Sequence, residues 1–377
     1  MQIIDSLHGG GAETSLVELV PQLAKNGIRT SVVTLLPDDG VLDSRLSELG
    51  VTRVRLDFRS PIHQLRRLRR TIDIARPDIV HTTLLRATLM GRVAAWPLRI
   101  PVVTTLANED YGREHRSHSR YGAWTVDAVR IADLMTSRLT SEFHAVSADV
   151  ARVMGSRLLI PDDRIQVIYR GRDPVRLGMP SLDRRLRARS ALSVGALTPL
   201  VLSVGRLDKQ KGVDTTIKAF RQVKEAMPDA VLFVAGRPGN GSKLVRREAG
   251  RAQAVHFLGH RDDVPDLMCA ADVLSFPSRW EGLGGTLVEA LAMRLGIVAS
   301  DIPPIAEAIG GIWPLVPAED ERRLASGLIS VLQGGPAIEA KRNAGEERFW
   351  SVFTAERAAA DMARFYRGVL ASRGLAR

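Results

Sequence analysis

DVLSFPSRWEGLGGTLVEALAM, residues 272–293, joins an apolar strand pattern, a glycine-rich loop and an apolar helix pattern without interruption. The strand pattern covers residues 272–277 and the helix pattern residues 288–293, and Gly296 is predicted to stop the helix. Strand and helix patterns alternate in the same way along the whole chain, which is typical of parallel sheets with helices on both faces. The sequence therefore predicts an α/β fold.

Two carboxylates flank the three glycines of this loop. Glu281 lies in the strand-to-helix loop, and Glu289 lies about one turn inside the helix, at the same end of the predicted sheet. Glycines let the backbone approach a ligand, and a helix N-terminus carries partial positive charge that suits a phosphate. Two acceptors for sugar hydroxyls beside an anion-binding loop predict a nucleotide-sugar site. A helix cap with a flexible loop is the alternative interpretation.

A second buried-strand pattern, residues 200–204, is followed at once by the segment GRLDKQKG, residues 205–212. Asp214 is predicted to cap the helix that comes next. Arg206 and Lys211 then leave the tip of one strand together, one as a planar fork for phosphate and the other as a point charge. Either residue alone would be interpreted as surface charge. Beside the predicted phosphate loop, the two favour a diphosphate site.

These motifs, in this order and spacing, resemble the retaining glycosyltransferases of family 4. The resemblance implies the GT-B fold, with two Rossmann-like domains whose parallel sheets face a central cleft. It also implies that the donor binds the second domain and the acceptor the first. The matching segments are residues 9–13 (GGGAE), 77–81 (PDIVH), 145–148 (AVSA), 165–171 (IQVIYRG), 205–212, 257–259 (FLG), 281–289 and 299–303 (ASDIP).

The same resemblance implies a role for each candidate residue. Arg206 and Lys211 would hold the donor pyrophosphate, Glu281 would face the hydroxyls of the donor sugar, and Glu289 would bind the ribose. Backbone from one loop would complete the phosphate site, and two glycines of the first domain would close on it. These backbone positions are Gly284, Gly285, Thr286 and Leu287, together with Gly10 and Gly11. The expected catalytic residues are Glu281, Arg206, Lys211 and Asn108.

One position departs from the family pattern. The family usually has a His after the strand that matches residues 101–105, and here Ala107 stands at that position. An Ala methyl group can neither donate a hydrogen bond nor relay a proton. Three interpretations stay open. Asn108 or Glu109 does part of the work, the leaving donor phosphate accepts the acceptor's proton unaided, or the chain is a non-catalytic or regulatory nucleotide-sugar-binding protein.

The length of 377 residues suits two domains better than one core. We expect an acceptor-binding domain over residues 1–175 and a donor-binding domain over residues 190–352, with a join rich in Pro, Gly and Arg over residues 169–190. Apolar residues in one stripe predict a final helix within residues 353–377, which the resemblance implies returns to the first domain. No Gly-x-Gly-x-x-Gly follows a predicted strand, which argues against a dehydrogenase.

Composition argues against several other kinds of protein. No apolar run approaches the ~20 residues that span a bilayer, and we expect no signal peptide. The single Cys269 excludes an internal disulfide framework and a Cys-based metal site, so a cytoplasmic protein is expected. No Asp-x-Asp occurs and no His pair has convincing metal-site spacing, so we expect neither a metal nor another cofactor. The nucleotide diphosphate sugar would be a substrate.

The formal net charge is +11, and the sharpest basic cluster is IHQLRRLRRTI, residues 62–72. On a helix its two leucines and Ile72 would share one side, and the other side would carry Arg66, Arg67 and Arg70. A basic amphipathic helix of this kind can lie on anionic lipid, at ~1 kcal/mol per basic residue. An ordinary domain helix with solvated arginines is the alternative. The basic segments lack interleaved aromatic residues, so nucleic acid is not an expected partner.

Four histidines are secondary candidates. His8 precedes the Gly-rich turn and His81 ends a predicted strand, so either could line the cleft, although packing or capping is an equal alternative. His115 and His118 lie in a polar, Arg-rich segment that is predicted to be an acceptor-side loop. The expected partners are therefore a nucleotide-sugar donor, a glycan or lipid-linked acceptor, and an anionic membrane surface.

Overall fold

The computed structural model describes residues 1–37, 41–56, 60–112 and 123–374. The chain divides into two compact units. Unit 1 comprises Met1–Gly171 together with Thr354–Arg377, and unit 2 comprises Arg172–Phe353. Unit 2 is therefore one continuous segment, whereas unit 1 is made from both ends of the chain.

Strands and helices alternate along the chain. The strands are β1 (Gln2–Ile4), β2 (Val32–Thr34), β3 (Arg53–Arg55), β4 (Val80–Thr83), β5 (Val102–Leu106), β6 (Glu142–Ala145), β7 (Ile165–Val167), β8 (Leu200–Val204), β9 (Val231–Ala235), β10 (Val255–Gly259), β11 (Val273–Phe276), β12 (Gly296–Ser300) and β13 (Leu315–Val316). The helices are α1 (Gly11–Lys25), α2 (Val41–Glu48), α3 (Pro61–Ala75), α4 (Leu85–Ala95), α5 (Ala123–Ser137), α6 (Ala148–Leu158), α7 (Pro174–Leu177), α8 (Leu182–Ala191), α9 (Val213–Ala226), α10 (Ser242–Ala249), α11 (Val264–Ala270), α12 (Gly285–Ala292), α13 (Pro303–Ile309), α14 (Glu321–Gln333), α15 (Pro336–Val352) and α16 (Ala355–Ala371).

Unit 1 is built on a seven-stranded parallel sheet in the order β3-β2-β1-β4-β5-β6-β7. All five residues of β5 are buried, as expected for a central strand covered on both faces. Successive side chains of a strand point to opposite faces. Val102 accordingly packs with Leu68 and Ile72 of α3, whereas Val103 packs with Met362 of α16. Each face of the sheet thus has its own helical cover.

Helix α16 is part of the cover of unit 1. Its N-cap is Thr354, whose side chain accepts a hydrogen bond from the backbone of Arg357. The helix packs against α1, and Met362, Tyr366 and Val369 lie in the same apolar cluster as Leu23 of that helix. The last helix of the chain is therefore needed to complete the core of the unit that begins at Met1.

Unit 2 contains a six-stranded parallel sheet in the order β10-β9-β8-β11-β12-β13. The strand order reverses between β8 and β11. In open parallel sheets the crevice outside the carboxyl ends of the strands at such a switch point is where ligands bind. The loops that follow β8 and β11 are the two segments in which the sequence predicts site residues. The predicted α/β class is confirmed.

Two local predictions were wrong. Asp214 does not cap α9; Gly212 is the N-cap in a left-handed conformation, and the buried Asp214 side chain lies in the first turn. Gly296 does not stop α12, which ends at Ala292, but is the first residue of β12. No helix in the described part of the chain is long and apolar enough to cross a membrane.

Candidate functional site

The loop after β8 places both predicted cations at the switch point of unit 2. The chain turns through a short 3-10 helix, Lys209–Lys211, before α9 begins. The Lys211 side chain is 21% exposed, whereas that of Arg206 is 64% exposed and lies 3.2 Å from the Asp208 carboxylate. The two residues therefore share a loop, but Lys211 is held much more firmly than Arg206.

Gly212 brings this loop against the loop that follows β11. Its φ is +61°, in the left-handed region, and a Cβ at this position would lie 2.1 Å from the carbonyl oxygen of Pro277. No other residue fits without moving the backbone, because the obstacle is main chain rather than a side chain. The two strand-end loops thus touch backbone to backbone, which places Lys211 beside the residues after Pro277.

Glu281 lies at this junction and is nearly buried. Its Oε1 accepts hydrogen bonds from Lys211 Nζ at 2.5 Å and from Ser278 Oγ at 2.8 Å. Within the described residues its Oε2 accepts no hydrogen bond. A buried carboxylate is stable only when it is paired and hydrogen-bonded. Here Oε1 meets that need, and Oε2 remains able to accept a hydrogen bond.

Helix α12 begins at the same place, and its first amides are available to an anion. Its N-cap, Gly284, has φ +86° and no side chain with which to cap the helix. The first N–H groups of a helix have no partner inside it, and together with the helix dipole they form an anion-binding end. Gly285, Thr286 and Leu287, which were predicted to complete a phosphate site, make up this first turn. The Leu287 amide already donates to the Gly284 carbonyl at 2.8 Å, so the amides of Gly285 and Thr286 are the ones that an anion can reach.

Glu289 lies one turn further along α12 and forms an ion pair with two arginines. Its Oε1 accepts hydrogen bonds from Arg172 Nε at 2.8 Å and from Arg176 Nη2 at 2.9 Å. Arg172 is buried and Arg176 partly buried. Sequence reasoning missed both arginines because they fall in the segment that was interpreted as a join between domains.

Arg279 is a further residue that sequence reasoning missed. Its guanidinium makes two hydrogen bonds to Asp214, at 3.1 and 2.9 Å, and one to Glu319 at 2.7 Å. Burial opposes its charge, but the hydrogen bonds to these carboxylates outweigh burial and raise the pKa of Arg279. This ion pair fastens the loop after β11 to α9. The observed role of Asp214 is therefore to anchor a loop, rather than to cap a helix.

In unit 1, His81 belongs to a buried hydrogen-bond chain. Its Nδ1 lies 2.5 Å from the Tyr366 hydroxyl, and its Nε2 lies 2.7 Å from the Thr105 hydroxyl, which in turn lies 3.1 Å from His144 Nδ1. His144 Nε2 contacts the carbonyl of Ile168 at 2.8 Å. Gln2 donates to the Tyr366 hydroxyl from the other end of the chain of bonds.

The carbonyl at the end of this network determines where every proton lies. A carbonyl only accepts, so His144 carries its proton on Nε2 and accepts from Thr105 on Nδ1. Thr105 must then accept from His81 Nε2, and His81 Nδ1 accepts from Tyr366. Burial lowers the pKa of His144 to about 4 and lowers that of His81 well below its usual value. Both rings are neutral, and each of their ring nitrogens already has a partner within the network.

The loop after β5 contains the Ala107 substitution. Asn108 Oδ1 is buried and has no hydrogen-bond partner among the residues that the structure describes. Burial, aided by a hydrogen bond with Asp149, raises the pKa of Glu109 to about 7. Burial, aided by repulsion from Asp133, raises the pKa of Asp110 to about 7 as well. The segment thus contains an unsatisfied amide oxygen and two carboxyl groups that titrate near neutral pH.

Gly10 and Gly11 lie at the start of α1, where Gly10 is the N-cap. A Cβ on Gly10 would lie 2.5 Å from the carboxylate of Glu13, so the side chain of Glu13 folds back over this helix end. The negative charge of Glu13 therefore already lies at the helix end that was predicted to approach the donor. His8 is exposed beside it, and His115 and His118 fall outside the described residues.

Helix α3 presents its arginines to solvent. Leu68 and Ile72 are fully buried against the sheet of unit 1, while Arg66, Arg67 and Arg70 are exposed. The apolar side that a lipid-bound amphipathic helix would insert is thus already used by the core. The exposed side of this helix is the one that carries these three arginines.

No group of three or more His, Cys, Asp or Glu side chains within the described ranges could hold a metal ion. In unit 2 the positive charge at the switch point comes instead from Lys211, Arg206 and the start of α12. Such charges can stabilise a phosphate group.

Comparisons with known proteins agree with this geometry. A model described as Glycosyltransferase Family 4 matches residues 9–176, and a model described as Glycosyl transferases group 1 matches residues 198–334. The lipopolysaccharide core biosynthesis mannosyltransferase LpsB of Rhizobium meliloti is 26% identical over 372 residues, covering 92% of this chain and 95% of that protein. The phosphatidyl-myo-inositol mannosyltransferase of Mycobacterium tuberculosis is 35% identical over 171 residues, covering 41% of this chain and 45% of that protein.

A solved structure is similar over almost the full length. The crystal structure of Anabaena HepE in complex with UDP-glucose has a TM-score of 0.80, with 19% sequence identity, and the match covers 99% of this chain and 100% of that one. At this identity the likeness shows the fold alone.

Proposed function

We propose, on the premise that this chain belongs to glycosyltransferase family 4, that it is a retaining and metal-independent enzyme that transfers a sugar to an acceptor hydroxyl. The chain has the GT-B fold and is a hexosyltransferase of the class that uses nucleotide sugars. The observation that carries the finer proposal is the contact between Lys211 and Glu281 at the switch point of unit 2, beside the open N-terminus of α12.

The donor diphosphate would bind between the cations and the helix end. Lys211, Arg206 and the first amides of α12 would share its negative charge, which increases when the sugar–phosphate bond breaks. Glu281 would accept hydrogen bonds from the sugar through Oε2, because its Oε1 is held by Lys211 and Ser278. Each of these side chains would thus be held by a contact within the protein and would also contact the donor.

The proposed transfer needs no enzyme base. The bond between the anomeric carbon and the phosphate oxygen breaks, and the acceptor oxygen forms its bond on the same face of the sugar, so the configuration is retained. The acceptor's proton passes to the departing phosphate oxygen. Ala107 is compatible with this route because no side chain at that position takes the proton. Asn108, with a vacant amide oxygen, would help to orient the acceptor.

The acceptor in this proposal is a glycan or a lipid-linked molecule. Support comes from the relatives, of which one is named for lipopolysaccharide core biosynthesis and another for phosphatidyl-myo-inositol. The donor nucleotide is UDP or GDP. The HepE complex contains UDP-glucose, and the likeness to HepE makes UDP the first nucleotide to test.

Membrane contact is part of the proposal and would be electrostatic. Because the apolar side of α3 is buried, Arg66, Arg67 and Arg70 would lie against anionic lipid without insertion, at the inner face of the plasma membrane. We expect the triple Gln variant to lose most of its sedimentation with phosphatidylserine vesicles in low salt. Vesicles of phosphatidylcholine alone are the control. Equal sedimentation of the two proteins would contradict this contact.

A second candidate is a nucleotide-sugar-binding protein that has lost its chemistry, and only Ala107 favours it. The deciding experiment offers UDP-glucose, UDP-N-acetylglucosamine and GDP-mannose, each with and without a membrane-lipid extract as acceptor, and measures nucleotide release with EDTA present. Acceptor-dependent release in EDTA, with the anomeric configuration unchanged in the product, is expected. Tight donor binding without release by wild type, together with release by Ala107→His, would favour the binding protein instead.

A further inference from the structure

The two carboxylates of the site in unit 2 are held in the same manner by different residues. Glu281 uses Oε1 for Lys211 and Ser278, and Glu289 uses Oε1 for Arg172 and Arg176. Neither Oε2 has a hydrogen-bond partner in the described part of the chain. In both cases one oxygen fixes the carboxylate and the other is free.

The side chain of Arg172 is buried and packs closely against the start of α12. Its side chain is 3% exposed, and a Cβ on Gly285 would lie 2.0 Å from its Nη2. The Nη2 end of the guanidinium therefore lies against the first residue of α12, a place that exists only because residue 285 has no side chain. A cation beside a helix N-terminus is unfavourable by itself, so the pairing with Glu289 must offset this cost.

Resting on the proposed function, we infer that Arg172 and Arg176 are positioning residues for recognition of the donor ribose. By holding Oε1 of Glu289 they orient the carboxylate so that Oε2 accepts hydrogen bonds from the ribose hydroxyls. Glutamate has three rotatable bonds, and fixing its rotamer before the ligand arrives lowers the entropy cost of binding. Arg172 and Arg176 act through Glu289 and need not touch the nucleotide themselves.

The test compares ribose with deoxyribose. Calorimetry measures the affinity for UDP and for 2′-deoxy-UDP, or for GDP and 2′-deoxy-GDP if wild type binds GDP. We expect Arg172→Gln and Arg176→Gln each to weaken the ribonucleotide about 10-fold, the effect of one orienting hydrogen bond. Binding of the deoxynucleotide should change less than 2-fold, so the preference for ribose falls. The same two variants should show a higher KM for the nucleotide-sugar donor at unchanged kcat.

Arg184→Gln is the matched control. Arg184 also lies near the start of unit 2 and also forms an ion pair, but with Asp266 rather than Glu289. It should leave the ribose preference unchanged.

Gly285→Ala provides a test that keeps Arg172. Alanine is a better helix former than glycine, and the added methyl would collide only with the end of the flexible Arg172 side chain. Gly285→Ala alone should therefore lower the ribose preference about as much as Arg172→Gln. In the Arg172→Gln background the same change should add little, because there is no longer a guanidinium to displace. If Arg172→Gln fails to fold, Gly285→Ala alone tests the positioning role of Arg172.

Each other outcome overturns a specific statement. Unchanged ribose preference in the Arg172 and Arg176 variants, with a clear preference in wild type, refutes the positioning role. An equal loss for ribose and deoxyribose nucleotides also refutes it and assigns Arg172 to the phosphates. If wild type binds neither UDP nor GDP, the proposed function fails first. If wild type binds them without ribose preference, the assignment of ribose to Glu289 fails.

Discussion

The buried polar groups at the strand ends differ between the two units in how fully their hydrogen bonds are satisfied. In unit 1 the side chains of His81, Thr105 and His144 satisfy one another and end on a backbone carbonyl, so both imidazoles are neutral. In unit 2 the carboxylates of Glu281 and Glu289 are charged partners of cations, and each keeps one oxygen unused.

The difference shows that burial of polar groups at strand ends does not by itself identify a ligand site. A network in which each member has its partner is a structural element that fixes neighbouring segments. A cluster in which every residue is anchored but only half satisfied is prepared for a ligand. His81, a candidate for lining the cleft, contacts Tyr366 of α16 within such a network. By this criterion we propose Glu281 and Glu289, rather than His81, as the ligand-binding groups.

The strongest test of this difference between the units is to remove the charge of Glu281. Glu281→Gln keeps the shape of the side chain but removes the charge that pairs with Lys211 and the stronger acceptor for sugar hydroxyls. We expect turnover to fall about 1,000-fold, the size seen when one preorganised transition-state contact is lost. Affinity for the free nucleotide should change little. Parallel measurements of kcat and of the Kd for the nucleotide check this, and equal losses in both would assign Glu281 to the phosphates.

Removal of a cation should have the next largest effect. Lys211→Ala should weaken nucleotide diphosphate binding by ~1.5–3 kcal/mol, the range for a charged hydrogen bond. Arg206→Ala should fall at the lower end of that range, because Arg206 is mostly exposed. Lys209→Ala, an exposed lysine in the same 3-10 helix, is the control for net charge. Calorimetry that gave the same small loss for all three variants would contradict a phosphate role for Lys211.

Acid should lower the stability of unit 1, because it protonates His144 within the buried hydrogen-bond network of His81, Thr105 and His144. The folded-state pKa of His144 is about 4 and its usual value is about 6.5. Its contribution to stability is therefore complete above pH 6.5 and is lost as the pH falls towards 4. Between pH 7 and pH 5 this amounts to about 2 kcal/mol of unfolding free energy.

His144→Gln, which cannot titrate, should remove that part of the pH dependence, and exposed His63→Gln is its control. Unfolding of the full chain in guanidinium at pH 7 and at pH 5 measures this pH dependence of stability. Glu109 and Asp110 titrate in the opposite direction in all three proteins, so they cancel in the comparison. If wild type and His144→Gln lose equal stability, the network does not depend on the neutral ring.

Much of this architecture could be predicted because it depends on local patterns. Alternating strand and helix patterns specify parallel sheets, and the segments after β8 and β11 were identified from their glycines and charges. The relative burial of Lys211 and Arg206 could not be predicted, because it depends on how the backbone at Gly212 meets Pro277. Their assigned roles stay predictions until the variants are measured.

The contacts of Arg172 and Tyr366 escaped prediction because they join residues far apart in sequence. Arg172 lies more than a hundred residues before Glu289, and nothing in its Pro- and Gly-rich surroundings distinguishes it from a linker arginine. Tyr366 and His81 are likewise separated by most of the chain. A single sequence contains patterns within an element, whereas such pairs exist only after the sheets and helices have packed.

The two-part construction of unit 1 has a consequence for synthesis on the ribosome. Unit 2 is continuous and can fold when Phe353 has emerged, but unit 1 lacks α16 until the final residues are made. At ~5–20 residues per second, the ribosome needs roughly 10–40 s to pass from Gly171 to Thr354. Throughout that interval the face of the sheet that contains Val103 and His81 lacks the part of its apolar cover that Met362 and Tyr366 supply, so the nascent first half exposes surface that a chaperone can bind.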